Sequence, residues 1–229
     1  GLGPDQFVSL RDFSQEILVP QYSGARGISR QHYERLRSGL SALDADMRIF
    51  CKMLVDSGRI KPNARIPVIA ASMGGQAALS LLKTPCAPNF QMVFGAPLFR
   101  LPGHFSMRAD TDEQSAWRAD WNAAWVRFSF GVDRNPGDLD KLQAEFDSRI
   151  KALDQCNQCG LIIGEADNLI DNVDVCPALM GFPYSLLLTH QTHSGAAFSR
   201  EALAFTRAVF DRTAKSSDER SIAMQLGCG

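Results

Sequence analysis

The stretch PVIAASMGGQAALSLL, residues 67–82, decides how the rest of the chain is read. It opens on a short apolar run, Pro67 to Ala71, of the kind a buried strand makes. It closes on Gln76 to Leu82, good helix formers with small residues interleaved. Between them lie Ser72, Met73, Gly74 and Gly75. A serine on a sharp strand-to-helix turn needs small neighbours, because its backbone is strained and the helix returns close to the strand. The alternative is a serine where a strand merely ends, and the choice depends on what partners the chain supplies.

Apolar strand cores recur on both sides of this stretch. Gln15 to Pro20, Gln91 to Gly95, Cys159 to Gly164 and Tyr184 to Thr189 each read as strands. Between the first two strands, Leu36, Leu40, Leu43, Met47, Phe50 and Leu54 recur at steps of three and four, predicting a helix that Ser57-Gly58 ends. The helix after Ser72 is expected to stop near Thr84-Pro85, because proline cannot continue it. A last helix carries Phe198, Ala202, Phe205 and Val209 on one face. Strands alternating with amphipathic helices predict an α/β protein, a parallel sheet covered on both faces.

The stretch from about Leu98 to Asp154 breaks this alternation. It is polar and helical, yet Trp117, Trp121 and Trp125 fall at four-residue spacing. Such a stripe packs a helix against something; it either fills a core or lines an apolar substrate pocket beneath a lid. The expected organisation is an N-terminal core at 1–97, a helical cap at 98–155 and a C-terminal core at 156–229.

Bulk properties narrow the function. A chain of 229 residues supports one substantial core. A formal net charge of −1 with no extended basic face argues against a nucleic-acid partner. No apolar run reaches membrane-spanning length, and the N-terminus lacks a signal-peptide pattern. The segment reads as soluble and cytoplasmic, with secretion left open and transient contact with a membrane surface allowed. Six cysteines are too sparse for a disulfide-stapled small domain. Cys156 and Cys159 have redox or metal-knuckle spacing, with Cys176 downstream, but no second pair completes a zinc site. Ordinary thiols are expected.

A serine hydroxyl becomes a nucleophile only when a histidine takes its proton and a carboxylate orients that histidine. In a parallel sheet such groups sit beyond the C-terminal ends of strands. Ser72 follows one strand, Asp167 another, and His190 and His193 a third, in the order Ser, Asp, His of α/β-hydrolases. Asp171 and Asp174 compete with Asp167 for the acid. Met73 N–H, next after the serine, is placed to stabilise an oxyanion.

On these motifs the chain resembles the α/β-hydrolases, and among them the lysophospholipase and monoacylglycerol lipase group. The residues that carry it are ASMGG (71–75), GAPLF (95–99), GEADNLIDN (164–172), THSGAAFSREALAFTRAVF (192–210), VPQYSGARGIS (19–29) and the opening GLG (1–3). The elbow departs from the group's pattern at Ala70 and Ala71, and Ala25 stands where the group has a histidine. The resemblance implies Ser72 as nucleophile, Asp167 as acid and His193, at the family's usual distance from the last helix, as base; His190 is then a pocket or surface histidine. It implies Leu2 as second oxyanion donor beside Met73. A monoacyl lipid ester is the implied substrate, with no metal or cofactor. In the family further strands precede the oxyanion loop, so those strands are expected to be missing from this chain. A non-catalytic relative that keeps the fold for binding is the alternative.

Overall fold

The computed structural model describes residues 18, 40–61, 63–100, 136–156, 158–167, 176, 182–215, 222 and 226. The expected first strand, apart from Leu18, lies outside them, as do Leu2, the three tryptophans, Asp171 and Asp174.

Four parallel strands form one sheet in the order β1 (Ile66–Ala71), β2 (Phe90–Gly95), β3 (Cys159–Gly164), β4 (Tyr184–Leu188). The chain is therefore of the α/β class. Every residue of β2 and β3 is buried, which is why these strands read as largely apolar runs rather than alternating ones; the polar Gln91 in β2 is accommodated by donating to Gln158 Oε1. Successive side chains still part to opposite faces. Met92, Phe94, Leu161 and Ile163 join one core, while Val93 and Ile162 join a second on the other side.

The larger core is closed by α1 (Leu40–Asp56), α2 (Gly74–Leu82) and α3 (Pro136–Ile150). On α1 the buried positions are Leu40, Leu43, Met47, Cys51 and Leu54; of the expected stripe Phe50 is only half-buried and Leu36 lies outside the described residues, while Cys51 is added. Gly58 at φ 70° takes the left-handed turn that ends this helix, its N–H bonded to Val55 O at 2.9 Å. From Gly75 to Leu82 every residue of α2 is buried, so this helix is enclosed on all sides. It stops before Pro85, with the Thr84 hydroxyl donating to Leu81 O. Phe94, Phe99 and Phe182 meet with ring centroids 5.3–5.8 Å apart; burying each ring contributes about 1.5–3 kcal/mol.

Residues 136–155 of the expected cap join this core: Leu142, Phe146 and Leu153 are buried in it. The second face is covered by α4 (His193–Phe198) and α5 (Arg200–Phe210). A single helix was expected here. Ser199 breaks it, in extended backbone, and its hydroxyl caps α5 by accepting the Ala202 N–H at 3.2 Å.

The cysteines also depart from expectation. Cys51 on α1 is disulfide-bonded to Cys86, just beyond α2, and Cys156 to Cys159. Cys176 is likewise in a disulfide, so no described cysteine is an ordinary thiol. The physical reason is tertiary: packing α1 against α2 brings together two sulfurs 35 residues apart in sequence.

Candidate active site

The parallel register brings the C-terminal ends of the strands to one edge, Ala71 beside Gly95 and Gly164 beside Leu188. The residues just beyond those ends are Ser72, Ala96, Glu165 to Asp167, and the loop from Thr189 to His193.

Ser72 has φ 53°. A non-glycine residue in the left-handed region costs roughly 1–2 kcal/mol and persists only where its surroundings hold it. Here three backbone bonds do so. Ser72 N–H donates to Gly95 O at 3.1 Å, and Ser72 O accepts from Gly75 N at 2.9 Å and from Leu98 N at 3.0 Å. Gly75 fits because a Cβ there would lie 3.0 Å from the Pro97 side chain. The turn is thus the tight strand-to-helix corner its small neighbours suggested. Met73 comes next in helical backbone, ahead of the first bonded amides of the turn, those of Gly75 and Gln76.

Asp167 ends a turn after β3, its N–H bonded to Gly164 O at 3.1 Å. Its side chain is 2% exposed, and Oδ2 lies 2.8 Å from Nδ1 of His193. His193 opens α4, after Thr192 in extended backbone. The approach depends on Gly164. A Cβ there would fall 2.5 Å from Gln191 O, so only glycine lets the 189–192 loop cross the end of β3. A carboxylate on Nδ1 holds the imidazole in one orientation and favours the tautomer in which Nε2 is the proton acceptor. His190, exposed and at φ 60°, uses its backbone N–H to reach Glu165 Oε2 at 3.1 Å. Between the two histidines, it is therefore His193 that pairs with Asp167.

The sequence reading missed two residues beside the corner, Gln76 and Arg149. Gln76 is fully buried, one turn beyond Ser72; its Nε2 donates to Leu98 O at 2.7 Å. Arg149, 1% exposed, donates from Nε to Gln76 Oε1 at 2.9 Å and from Nη1 to Asp44 Oδ1 at 2.8 Å. Burial alone pushes the Asp44 carboxyl up, but Arg149, the Ser80 hydroxyl and Lys83 together hold it below its ordinary value of 3.8. A signal for Arg149 was available: Leu142, Phe146, Arg149 and Leu153 follow at steps of four, three and four, so the arginine occupies a core position of an otherwise apolar stripe.

Among the described residues, no three His, Cys, Asp or Glu side chains converge as a metal site. Nor is any described helix long and apolar enough to cross a membrane.

No protein-family model matches the sequence, and no curated protein matches it significantly. A solved structure of a Mycobacterium tuberculosis puromycin-hydrolyzing peptidase is similar to it, with a TM-score of 0.57 and 16% sequence identity. The match covers 86% of this chain but 29% of that protein's length. The likeness is one of fold: this chain shares its α/β architecture with a hydrolase.

Proposed function

We propose that the chain is a serine hydrolase of carboxylic esters, with Ser72 as nucleophile, His193 as base and Asp167 as orienting acid. The observation that carries this reading is the bond of 2.8 Å between a buried Asp167 carboxylate and His193 Nδ1, at the sheet edge that also bears the strained Ser72 corner. In the proposed reaction His193 Nε2 takes the Ser72 Oγ proton as Oγ bonds to the ester carbonyl carbon. The carbonyl electrons move to oxygen, and that oxyanion is held by Met73 N–H, with Leu2 N–H as the second donor. The C–O bond then breaks, and His193 returns its proton to the departing alcohol. Water repeats the sequence on the acyl-enzyme and releases the acid.

The resemblance to the lysophospholipase and monoacylglycerol lipase group supports a monoacyl lipid as substrate, with Trp117, Trp121 and Trp125 as its apolar cover. Fold alone does not fix substrate, and the same groups hydrolyse amides, the chemistry named for the peptidase of similar fold. The disulfides favour an oxidising compartment over the cytoplasm. The test is turnover of p-nitrophenyl esters of increasing acyl length beside an aminoacyl amide. Ester hydrolysis that rises with chain length and vanishes in Ser72→Ala supports the reading. Turnover undiminished in Ser72→Ala rejects Ser72 as nucleophile, and a folded wild type with no turnover above background rejects the reading in favour of a non-catalytic binding protein.

A further inference from the structure

Behind the Ser72 corner runs a continuous network of hydrogen bonds, buried from Gln76 through Arg149 to Ser80 and partly exposed at Asp44. Ser72 O accepts from Leu98 N, and Leu98 O accepts from Gln76 Nε2. Gln76 Oε1 accepts from Arg149 Nε, and Gln76 O from Arg149 Nη2 at 3.1 Å. Arg149 Nη2 also donates to the Ser80 hydroxyl, which donates in turn to Asp44 Oδ1 at 2.8 Å. Asp44 closes the far end, accepting from Arg149 Nη1 and, at 3.3 Å, from Lys83 Nζ. Gln76 and Ser80 stand four residues apart on α2, hence on one face of it, and the planar guanidinium spans both.

This arrangement is expensive as mere stability. A buried cation loses its hydration, and an apolar replacement of similar volume is often no worse. What a planar guanidinium bonded through all three of its nitrogens supplies is geometry. The segment 95–98 touches the Ser72 backbone twice, through Gly95 O and Leu98 N. Gln76 fixes that segment to the helix, and Arg149 fixes the rotamer of Gln76.

We propose that Gln76 and Arg149 are positioning residues for the nucleophile: together they clamp the 95–98 segment against the Ser72 corner and so set where Ser72 Oγ stands. The inference rests on Ser72 being that nucleophile. It also gives α3 a role, since Arg149 ties the end of the expected cap region to the corner.

The test uses two variants of the whole chain. Gln76→Glu keeps an acceptor for Arg149 but at neutral pH has no donor for Leu98 O. Arg149→Lys keeps a cation facing Asp44 but loses the planar fork. Inactivation by a fluorophosphonate, resolved into a saturation constant and a limiting rate, is measured with hydrogen exchange over 72–80, 95–99 and, as internal reference, β3. The clamp predicts a limiting rate lower by about ten- to a hundredfold with a saturation constant changed less than about twofold. It also predicts faster exchange over 72–80 and 95–99 with β3 still protected. If Arg149→Lys loses β3 protection as well, Gln76→Glu carries the test. A labelled wild type whose variants match it in limiting rate and exchange overturns the clamp alone. A wild type that resists the probe overturns the nucleophile reading, and with it any catalytic sense of the clamp, whatever the exchange shows.

Discussion

Gly95 is the residue through which the fold most directly sets the candidate site. Its carbonyl accepts the Ser72 N–H, and its Cα faces the helix that His193 opens. A Cβ at Gly95 would sit 2.7 Å from Ala197 Cα, 2.9 Å from Ala197 Cβ and 3.2 Å from Ala196 O. The nearest of these belongs to backbone, which no rotamer change relieves. Carbon atoms rest at about 3.5–4.0 Å, so α4 must retreat by about 1 Å in Gly95→Ala. Overfilling a tight site in this way costs about 1–3 kcal/mol. Displacing a catalytic group by about 1 Å costs on the order of a hundredfold in rate. The perturbation is read by urea unfolding and by the rate of fluorophosphonate labelling. Gly58→Ala is the control: no atom lies within 4 Å of the added methyl, yet φ is +70°. That strain costs about 1–2 kcal/mol far from the sheet edge, so stability falls comparably while labelling stays at the wild-type rate. A Gly95→Ala protein as stable and as quickly labelled as wild type refutes the claim that contact between β2 and α4 positions His193.

Three further outcomes are expected. Asp167→Asn removes the carboxylate that fixes the His193 tautomer and lowers the labelling rate by roughly 10³–10⁴-fold; an undiminished rate sinks the triad. Burial, with the nearby Asp44 charge, holds the Glu145 carboxyl above its ordinary 4.5 despite Arg149 and Lys83. A raised carboxylate costs stability once ionised, so Glu145→Gln is more stable than wild type at pH 7, and the advantage fades as pH falls through the raised folded-state pKa, vanishing below about 4.5. A gain in urea midpoint that persists at pH 3.5 contradicts this. Finally, Cys51 and Cys86 close a 35-residue separation, and loop entropy puts the loss in the double alanine variant at about 4 kcal/mol; an unchanged unfolding midpoint argues that the bond does not constrain the unfolded chain.

Much of the core was legible because the strands are buried on both faces. Cys159–Gly164 can be apolar throughout and Phe90–Gly95 apolar but for Gln91, and their edges are marked by turns. The candidate triad was legible for a related reason: each member lies within a few residues of a strand end, where chain order maps onto spatial order. The break at Ser199 was hidden by spacing, since Phe198, Ala202, Phe205 and Val209 fit one continuous helix. Only the serine cap, with Glu201 in the following turn, marked it locally. Tertiary pairings were less legible still. Cys51 and Cys86 are joined by the packing of two helices, which no spacing encodes. Arg149 stands in a polar stretch, and only its place in the Leu142–Leu153 stripe marks it as buried. Gln76 had no such sign, because its side-chain partners, Leu98 and Arg149, lie far from it in sequence.

The most direct test of the central claim is fluorophosphonate labelling of the intact wild-type chain and of His193→Ala, with the modified peptide identified by mass spectrometry. The account predicts one adduct, on Ser72, formed readily in wild type and lost in His193→Ala. A folded chain that takes no label on Ser72, or labels it equally without His193, contradicts it.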